Sequence, residues 1–154
     1  MEPCEQRDLQ FWRGLLCDPD VAPALFGQGP SLILDLLENP AVLPLATRNG
    51  ALLFVSRCGF GKVFELHSFY RRAGWGREVL LAAKACFRRL FDEGACLVFT
   101  HEIVGQWRTR PPKSFGFRPM GEPFENEFGV FRMWALTADA WAASPACARG
   151  REVH

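Results

Sequence analysis

The sequence lacks several features that would place it in a simple class. Its six cysteines include no C-x-x-C pair and no Cys/His cluster with zinc-ligand spacing, so the common structural zinc sites are excluded. No apolar run approaches the ~20 residues of a membrane span, and the polar N-terminus is unlike a secretory signal. A formal net charge of only +1 gives no reason to expect nucleic acid or an anionic membrane as partner. We therefore expect a cytoplasmic protein with reduced, mostly buried thiols and no metal.

The composition is that of a globular protein. The 154 residues are 49% hydrophobic and 23% charged, which is enough apolar material for a sizeable core. We expect a single domain over residues 1–154. Within it, residues 1–40 form a helical N-terminal part, residues 41–136 a core sheet with one long helix, and residues 137–154 a C-terminal tail with a short helix.

Hydrophobic periodicity predicts a mixed α/β (α+β) fold, because a helical period gives way to an alternating one after residue 40. Ser31 is the expected N-cap of the second helix, and Gly94 the expected C-cap of the long one. Asn49-Gly50 predicts a tight hairpin turn, because both positions tolerate positive φ. A second turn is expected at 58–61. The predicted helices are 5–16, 31–39, about 76–91 and a short one within 104–114; the predicted strands are 41–48, 51–57, 62–69, 95–102, 115–121 and 127–136.

The stretch 71-RRAGWGR-77 joins a predicted strand to the long helix and is a chemically coherent anion site. Its glycines allow close backbone approach, and the first N–H groups of a helix have no intrahelical partner. The expected donors are the amides of Trp75, Gly76 and Arg77, with Arg71, Arg72 and Arg77 adding positive potential. A plain glycine turn with solvated arginines is the alternative. A P-loop is excluded by the absent Gly-Lys-Ser/Thr, and a dinucleotide fingerprint by Val79 at the third glycine position.

The loop and its context resemble a known superfamily. Residues 71–76 match the R/Q-x-x-G-x-G/A loop of the GNAT superfamily of acyl-CoA-dependent N-acetyltransferases, and 113-KSFGF-117 is similar to the end of its closing motif. The stretch 63-VFELHSFYRRAGWG-76 resembles more narrowly a phage-associated branch with Glu-x-His before the loop. The resemblance covers about residues 40–136. It implies a mostly antiparallel sheet of about six to seven strands with helices on both faces.

The resemblance also implies a cofactor and a reaction. Acetyl-CoA, or another acyl-CoA, would place its pyrophosphate on the loop amides and its pantetheine arm beside the preceding strand. An amine of a small molecule or protein would then attack the thioester directly in a ternary complex. The implied cofactor-binding residues are Leu66, Ser68, Phe69, Arg71, Arg72, Gly74, Trp75, Gly76 and Arg77.

Acid–base chemistry has several candidate residues. Glu65 and His67 share one strand face and are the expected catalytic pair, since histidine is the residue type that exchanges protons near neutral pH. His101 and Glu102, at the end of the next strand, are weaker candidates. Glu125 and Glu127 are expected to be solvated.

The tyrosine acid of many family members is absent from its usual place. The single tyrosine, Tyr70, precedes the loop, so Ser114, a water or unaided departure of the thiolate would replace the acid. The usual asparagine is also missing there, and Gln106 lies nearby. Cys58 and Cys96 are expected to be buried structural thiols rather than nucleophiles. Two questions stay open: whether the chain is instead a catalytically silent GNAT-like binding module, and whether its last strand pairs with a second copy in a homodimer.

Overall fold

The computed structural model describes residues 2–58 and 62–152, with the backbone alone for 149–152. The predicted turn at 58–61 falls largely on residues 59–61, which lie outside the described residues. The helices are α1 (Leu9–Leu16), α2 (Ser31–Leu36), α3 (Arg77–Asp92), α4 (Ala138–Ala142) and α5 (Pro145–Glu152). The strands are β1 (Cys4–Glu5), β2 (Val42–Thr47), β3 (Gly50–Ser56), β4 (Val63–Tyr70), β5 (Leu97–Ile103), β6 (Arg118–Asn126) and β7 (Gly129–Thr137).

The seven strands follow the order β1-β2-β3-β4-β5-β7-β6. The pairings of β1 with β2, β2 with β3, β5 with β7 and β6 with β7 are antiparallel, whereas β4 and β5 run parallel. The expectation of a mixed, mostly antiparallel sheet with helices is therefore confirmed. By backbone contacts the chain falls into two compact units. The first comprises the described parts of Met1–Ser56 and Leu66–Cys86, and the second those of Arg57–Glu65 and Phe87–His154.

The first unit has its own hydrophobic core, built from α1, α2 and the faces of β2 to β4 that they cover. Trp12 is fully buried there and meets Phe69 edge to face, with ring centroids 6.1 Å apart. Asp8 caps α1 by accepting the Gln10 N–H over 2.8 Å, as its position before the apolar face favours. The predicted Ser31 cap is wrong by one position, because Pro30 is the N-cap and Ser31 is already helical.

Two short-range features of the first unit differ from the prediction. The sequence showed no strand before residue 40, yet β1 pairs its two residues with β2. In the β2–β3 hairpin Thr47 pairs with Gly50, so the turn residues are Arg48 and Asn49 rather than Asn49 and Gly50. Neither Asn49 nor Gly50 has a positive φ. Gly50 is instead required by packing, since a Cβ there would lie 2.6 Å from the ring of Tyr70.

The second unit is organised by β5 and β7, which pair over seven residues from Leu97–Thr137 to Ile103–Phe131. Phe87 lies at its apolar centre, with rings meeting edge to face around it. Gly94 ends α3 with a φ of +103°, which confirms the predicted C-cap glycine. In place of the predicted short helix within 104–114 there are two 3₁₀ turns, at Trp107–Thr109 and at Lys113–Phe115. The rings around Phe87 are Phe115, Phe117 and Trp141.

The C-terminal tail is more helical than predicted, with α4 and α5 in place of one short helix. Thr137 caps α4 by accepting the Ala140 N–H over 3.1 Å. Three cysteines, Cys4, Cys17 and Cys96, are exposed free thiols, so the expectation of mostly buried thiols is wrong for them. Of the two proposed structural thiols, Cys96 is thus exposed and Cys58 is partly exposed.

Candidate functional site

The loop between β4 and α3 is a 3₁₀ turn followed by a left-handed glycine. The Gly74 N–H donates to the Arg71 carbonyl over 2.9 Å, and the Trp75 N–H to the Arg72 carbonyl over 3.1 Å. The Trp75 amide is therefore already engaged inside the turn, and its role as a phosphate donor stays a prediction. Its indole is held as well, because Nε1 donates to the Tyr70 carbonyl over 3.0 Å.

Gly76 shapes the start of α3. Its φ is +86°, a conformation that side-chain-bearing residues rarely adopt, and a Cβ built on it meets nothing within 4 Å. The first helical hydrogen bond runs from the Leu80 N–H to the Gly76 carbonyl over 3.1 Å. The N–H groups of Arg77, Glu78 and Val79 precede that bond and belong to the unsatisfied first turn of the helix. Donors and open space thus coincide at Gly76.

Two of the three predicted arginines are engaged by aspartates that follow α1. Arg71 Nε lies 3.1 Å from Asp18 Oδ2, and Arg72 Nε lies 3.9 Å from Asp20 Oδ1. The Arg72 guanidinium also stands 5.2 Å from the centre of the Trp75 ring. These carboxylates reduce the positive potential that the sequence alone suggested. Arg77 is exposed at the helix start.

Gly74 serves a different purpose from Gly76. It is buried, and a Cβ there would lie 2.7 Å from Tyr70 Cδ1 and 3.0 Å from Asn49 Cβ. Such distances are below ordinary contact, so only glycine lets the loop lie flat on the tyrosine ring. The two glycines of the motif are therefore explained by close packing in one case and by backbone conformation in the other.

A partly buried polar network fixes the loop to the β2–β3 turn. Glu78 accepts from Thr47 Oγ1 over 2.7 Å, from the Asn49 N–H over 2.7 Å and from Asn49 Nδ2 over 2.8 Å. Burial by itself raises the pKa of the Glu78 carboxyl, but these hydrogen bonds and the charge of Arg48 outweigh it and lower the pKa. This network was not predicted from the sequence, although an acidic residue in the first turn of a helix was visible.

Tyr70 belongs to the same network. Its hydroxyl lies 2.8 Å from Thr47 Oγ1, and only 5% of the residue is exposed. Burial is the main cause that raises the pKa of Tyr70 to about 12; the Thr47 hydrogen bond opposes it, and the charge of Glu78 adds to it. The single tyrosine is accordingly a neutral structural group beneath the loop.

The predicted cofactor strand has both buried and exposed members. Leu66 and Phe69 are 8% and 3% exposed, whereas Ser68 is exposed. Their predicted role is to pair with the pantetheine arm through backbone N–H and C=O groups. The strand has these groups whatever its side chains contact. That role stays a prediction.

Glu65 is a buried carboxylate held by Arg57, a partner that was not predicted from the sequence. Arg57 Nη2 and Nε lie 2.7 Å and 3.2 Å from Glu65 Oε2, and Glu65 is 8% exposed. This fork stabilises the ionised carboxylate. The signal available was the spacing of Arg57 and Glu65 on either side of a predicted turn.

His67, two residues further along β4, is half-buried. Its imidazole stacks on the Phe69 ring with centroids 6.4 Å apart and planes inclined by 18°.

The weaker candidates occupy the second unit. Glu102 is 4% exposed and accepts from Arg110 Nε and from Trp134 Nε1, each over 3.0 Å. His101 packs edge to face with Phe99 at 6.1 Å. Glu102 is thus a structurally satisfied carboxylate, and its partners Arg110 and Trp134 were not predicted. The remaining candidates are exposed or partly exposed: Gln106, Ser114, Glu125 and Glu127.

Two further properties bear on function. Within residues 2–58 and 62–152, no group of three or more His, Cys, Asp or Glu side chains is arranged to hold a metal ion. No helix in the same ranges has the length and apolar character needed to cross a membrane.

Several solved structures are similar to this chain in fold. A probable GNAT-family acetyltransferase from Chromobacterium violaceum superposes with a TM-score of 0.70 at 11% identity, over 92% of this chain and 88% of that one. An aminoglycoside 6'-acetyltransferase type Ii gives 0.67 at 14% identity, over 90% and 97%. The spermidine N-acetyltransferase from Vibrio cholerae, solved with CoA and spermine, gives 0.62 at 13% identity, over 90% and 95%.

The chain has the GNAT fold. No family model matches the sequence, and no match was found among curated proteins. At such low identity the similarity to solved structures is one of architecture. The GNAT fold accounts for the order of elements around the loop, with β4 before it and α3 after it.

Proposed function

We propose that this GNAT-fold chain is an N-acetyltransferase that moves an acetyl group from acetyl-CoA to an amine of a small molecule or protein. The observation that carries the proposal is the start of α3, where Gly76 has a φ of +86° and open space around its Cα. Backbone donors of the first helical turn face that space with the positive end of the helix dipole. Among the similar folds, an aminoglycoside 6'-N-acetyltransferase and the spermidine enzyme were solved with coenzyme A.

The pyrophosphate of the cofactor would be bound by the amides of Gly76, Arg77 and Glu78, with the exposed Arg77 side chain beside them. The Glu78 carboxylate does not compete for these amides, because its oxygens accept from Thr47 and Asn49. Arg71 and Arg72 would contribute to cofactor binding while they remain paired with Asp18 and Asp20. The pantetheine arm would pair with the backbone of Leu66 to Phe69, as the family resemblance implies.

The proposed reaction is a direct acyl transfer. The amine nitrogen attacks the thioester carbonyl carbon, the C–S bond breaks, and the amine loses a proton to a base while the thiolate leaves with the electron pair. We assign the base to His67, and Glu65 is the carboxylate beside it on β4. Glu65 is paired with Arg57. Protonation of the thiolate would come from water, because the Tyr70 hydroxyl is buried against Thr47.

A catalytically silent CoA-binding module is the second candidate. The observation that favours it is that two groups with the chemistry of acid and base, Tyr70 and Glu65, are already held in structural contacts. In that case the loop would bind the cofactor without turnover, and the chain would act through a protein partner.

Titration with acetyl-CoA separates the candidates. A ligand that binds only the folded protein raises the melting temperature, so both candidates require a shift at saturating cofactor. Thiol release across a panel of polyamines, aminoglycosides and peptide amines then identifies the enzyme. A shift without thiol release supports the binding module, and no shift rejects both.

Because exposed free thiols such as Cys4 fit a reducing compartment, we propose the cytoplasm as the place of action.

A further inference from the structure

Among the described residues of the second unit, Arg132 has a buried side-chain nitrogen that makes no hydrogen bond. Arg132 lies on β7 and is half-buried, and its Nε atom is buried without a hydrogen-bond acceptor among the residues that the structure describes. An arginine does not lose its proton in a protein, so the charge persists in the folded state. Partial burial of an unpaired charge costs free energy, which a bound anion would recover.

The carboxylate across the sheet from Arg132 is already committed. Glu102 on β5 is its direct partner in the antiparallel register. Both Glu102 oxygens, however, accept from other groups, Oε2 from Arg110 Nε and Oε1 from Trp134 Nε1. Glu102 thus offsets the charge of Arg110, and that of Arg132 remains in excess.

Arg110 contributes a second guanidinium, which contacts Glu102 directly. Its Cζ lies 5.8 Å from the centre of the Trp134 ring, and half of its side chain is exposed. The turn after β5 returns it to the sheet, because the Ile103 N–H donates to Thr109 Oγ1 over 2.8 Å. The Arg132 cluster, defined as Glu102, Arg110, Arg132 and Trp134, therefore holds two guanidinium groups and a single carboxylate.

We propose that the Arg132 cluster binds an oxyanion, the carboxylate or phosphate group of a small molecule. The planar guanidinium matches either group with two parallel hydrogen bonds. Arg110 is already oriented by Glu102 and Trp134, so little side-chain freedom is lost when an anion binds beside it. The cluster lies entirely within the second unit and does not depend on the proposed acetyltransferase activity.

Titration of the full chain with inorganic phosphate, and separately with acetate, tests the proposal. NMR of the arginine Nε–H groups is the site-resolved readout, because the Arg132 Nε–H resonance reports on the Arg132 side chain itself. We expect the Arg132 Nε–H resonance to move on titration. The anion that moves it at the lower concentration identifies phosphate or carboxylate as the ligand group.

Variants supply the second arm. Arg132→Gln should weaken binding of that anion about tenfold or more, since a charge-assisted hydrogen bond is lost. Arg118→Gln removes an exposed arginine of the neighbouring strand β6 and should leave the affinity unchanged. Arg132→Lys keeps the charge without the fork and should bind with intermediate affinity.

The proposal is overturned if neither anion moves the Arg132 resonance, or if folded Arg132→Gln binds both anions as tightly as the wild type. Circular dichroism establishes whether each variant is folded. Should Arg132→Gln fail to fold, the wild-type resonance and the Arg132→Lys affinity decide the question.

Discussion

Thr47 Oγ1 donates a 2.7 Å hydrogen bond to Glu78 Oε2, which fastens the β2–β3 turn to the first turn of α3. The two residues are 31 positions apart in the chain. Through this contact the loop that carries Gly76 is fixed to the hairpin on one side and to Tyr70 beneath it. The proposed cofactor site is therefore preorganised before any ligand binds.

Removing the Thr47 hydroxyl should destabilise the protein. Thr47→Val is nearly isosteric but leaves the Tyr70 hydroxyl without its Thr47 partner and removes one of three hydrogen bonds to Glu78, so the free energy of unfolding should fall by about 1–3 kcal/mol. Urea unfolding of Thr47→Val, Glu78→Gln and the double variant measures the coupling. We expect a coupling free energy of about 0.5–3 kcal/mol, and strict additivity would show that the contact contributes nothing.

Acid should remove the contribution of Glu78 to the free energy of unfolding. Its pKa in the folded protein is lower than the ordinary glutamate value of about 4.3, so the stabilisation is fully present above that value. It is lost as pH falls through the lower folded-state pKa. The difference in unfolding free energy between wild type and Glu78→Gln should thus narrow between pH ~7 and pH ~3. A constant difference over this range would contradict the assignment.

Alkali should destabilise the folded protein by ionising Tyr70. Because the folded-state pKa is raised to about 12, its stabilising effect is present below the unfolded value of about 10 and is lost as pH rises towards 12. The chain has one tyrosine, so phenolate absorbance reports Tyr70 alone. Its midpoint in the folded protein should lie near 12, and a midpoint near 10 without unfolding would refute the buried, neutral tyrosine.

Gly76 should be essential for cofactor binding. Gly76→Asp places a carboxylate where the pyrophosphate is proposed to lie and should abolish the acetyl-CoA thermal shift. Gly94→Asp is the matched control, because Gly94 also has a positive φ, +103°, and open space around its Cα. Both variants should lose similar stability through backbone strain, whereas only Gly76→Asp should lose the ligand-induced shift. Equal acetyl-CoA-induced thermal shifts in the two variants would show that the cofactor does not bind at the start of α3.

His67 should affect turnover more than binding. His67→Gln is expected to lower kcat by about 10²–10⁴-fold with little change in the KM for acetyl-CoA, because a general base acts in the chemical step. Glu65→Gln should lower kcat less and also lower stability, since it breaks the fork with Arg57. A larger loss of kcat for His101→Gln than for His67→Gln would identify His101 on β5 as the general base instead.

Much of the fold was visible from the sequence because its causes are short-range. The amphipathic repeat from Arg77 to Asp92 and the alternation in β4 follow from residues that are neighbours in the chain. The strand β1 was not visible, because two residues carry no period and their pairing is decided by β2. The hairpin turn was displaced by one residue, because the contact of Gly50 with Tyr70 set the position of the glycine rather than a positive φ.

The candidate site divides in the same way. By itself the sequence determined a strand, a glycine loop and a long helix whose first amides are available to an anion, since these depend on local backbone geometry. Only the tertiary structure decided which groups are already engaged: Arg71 with Asp18, Glu65 with Arg57, and Glu78 with Thr47. Arg71 and Asp18 are 53 positions apart, and no periodicity predicts which distant charges will meet. The Coulomb energy of such pairs depends on distance and burial, which exist only once the chain has folded.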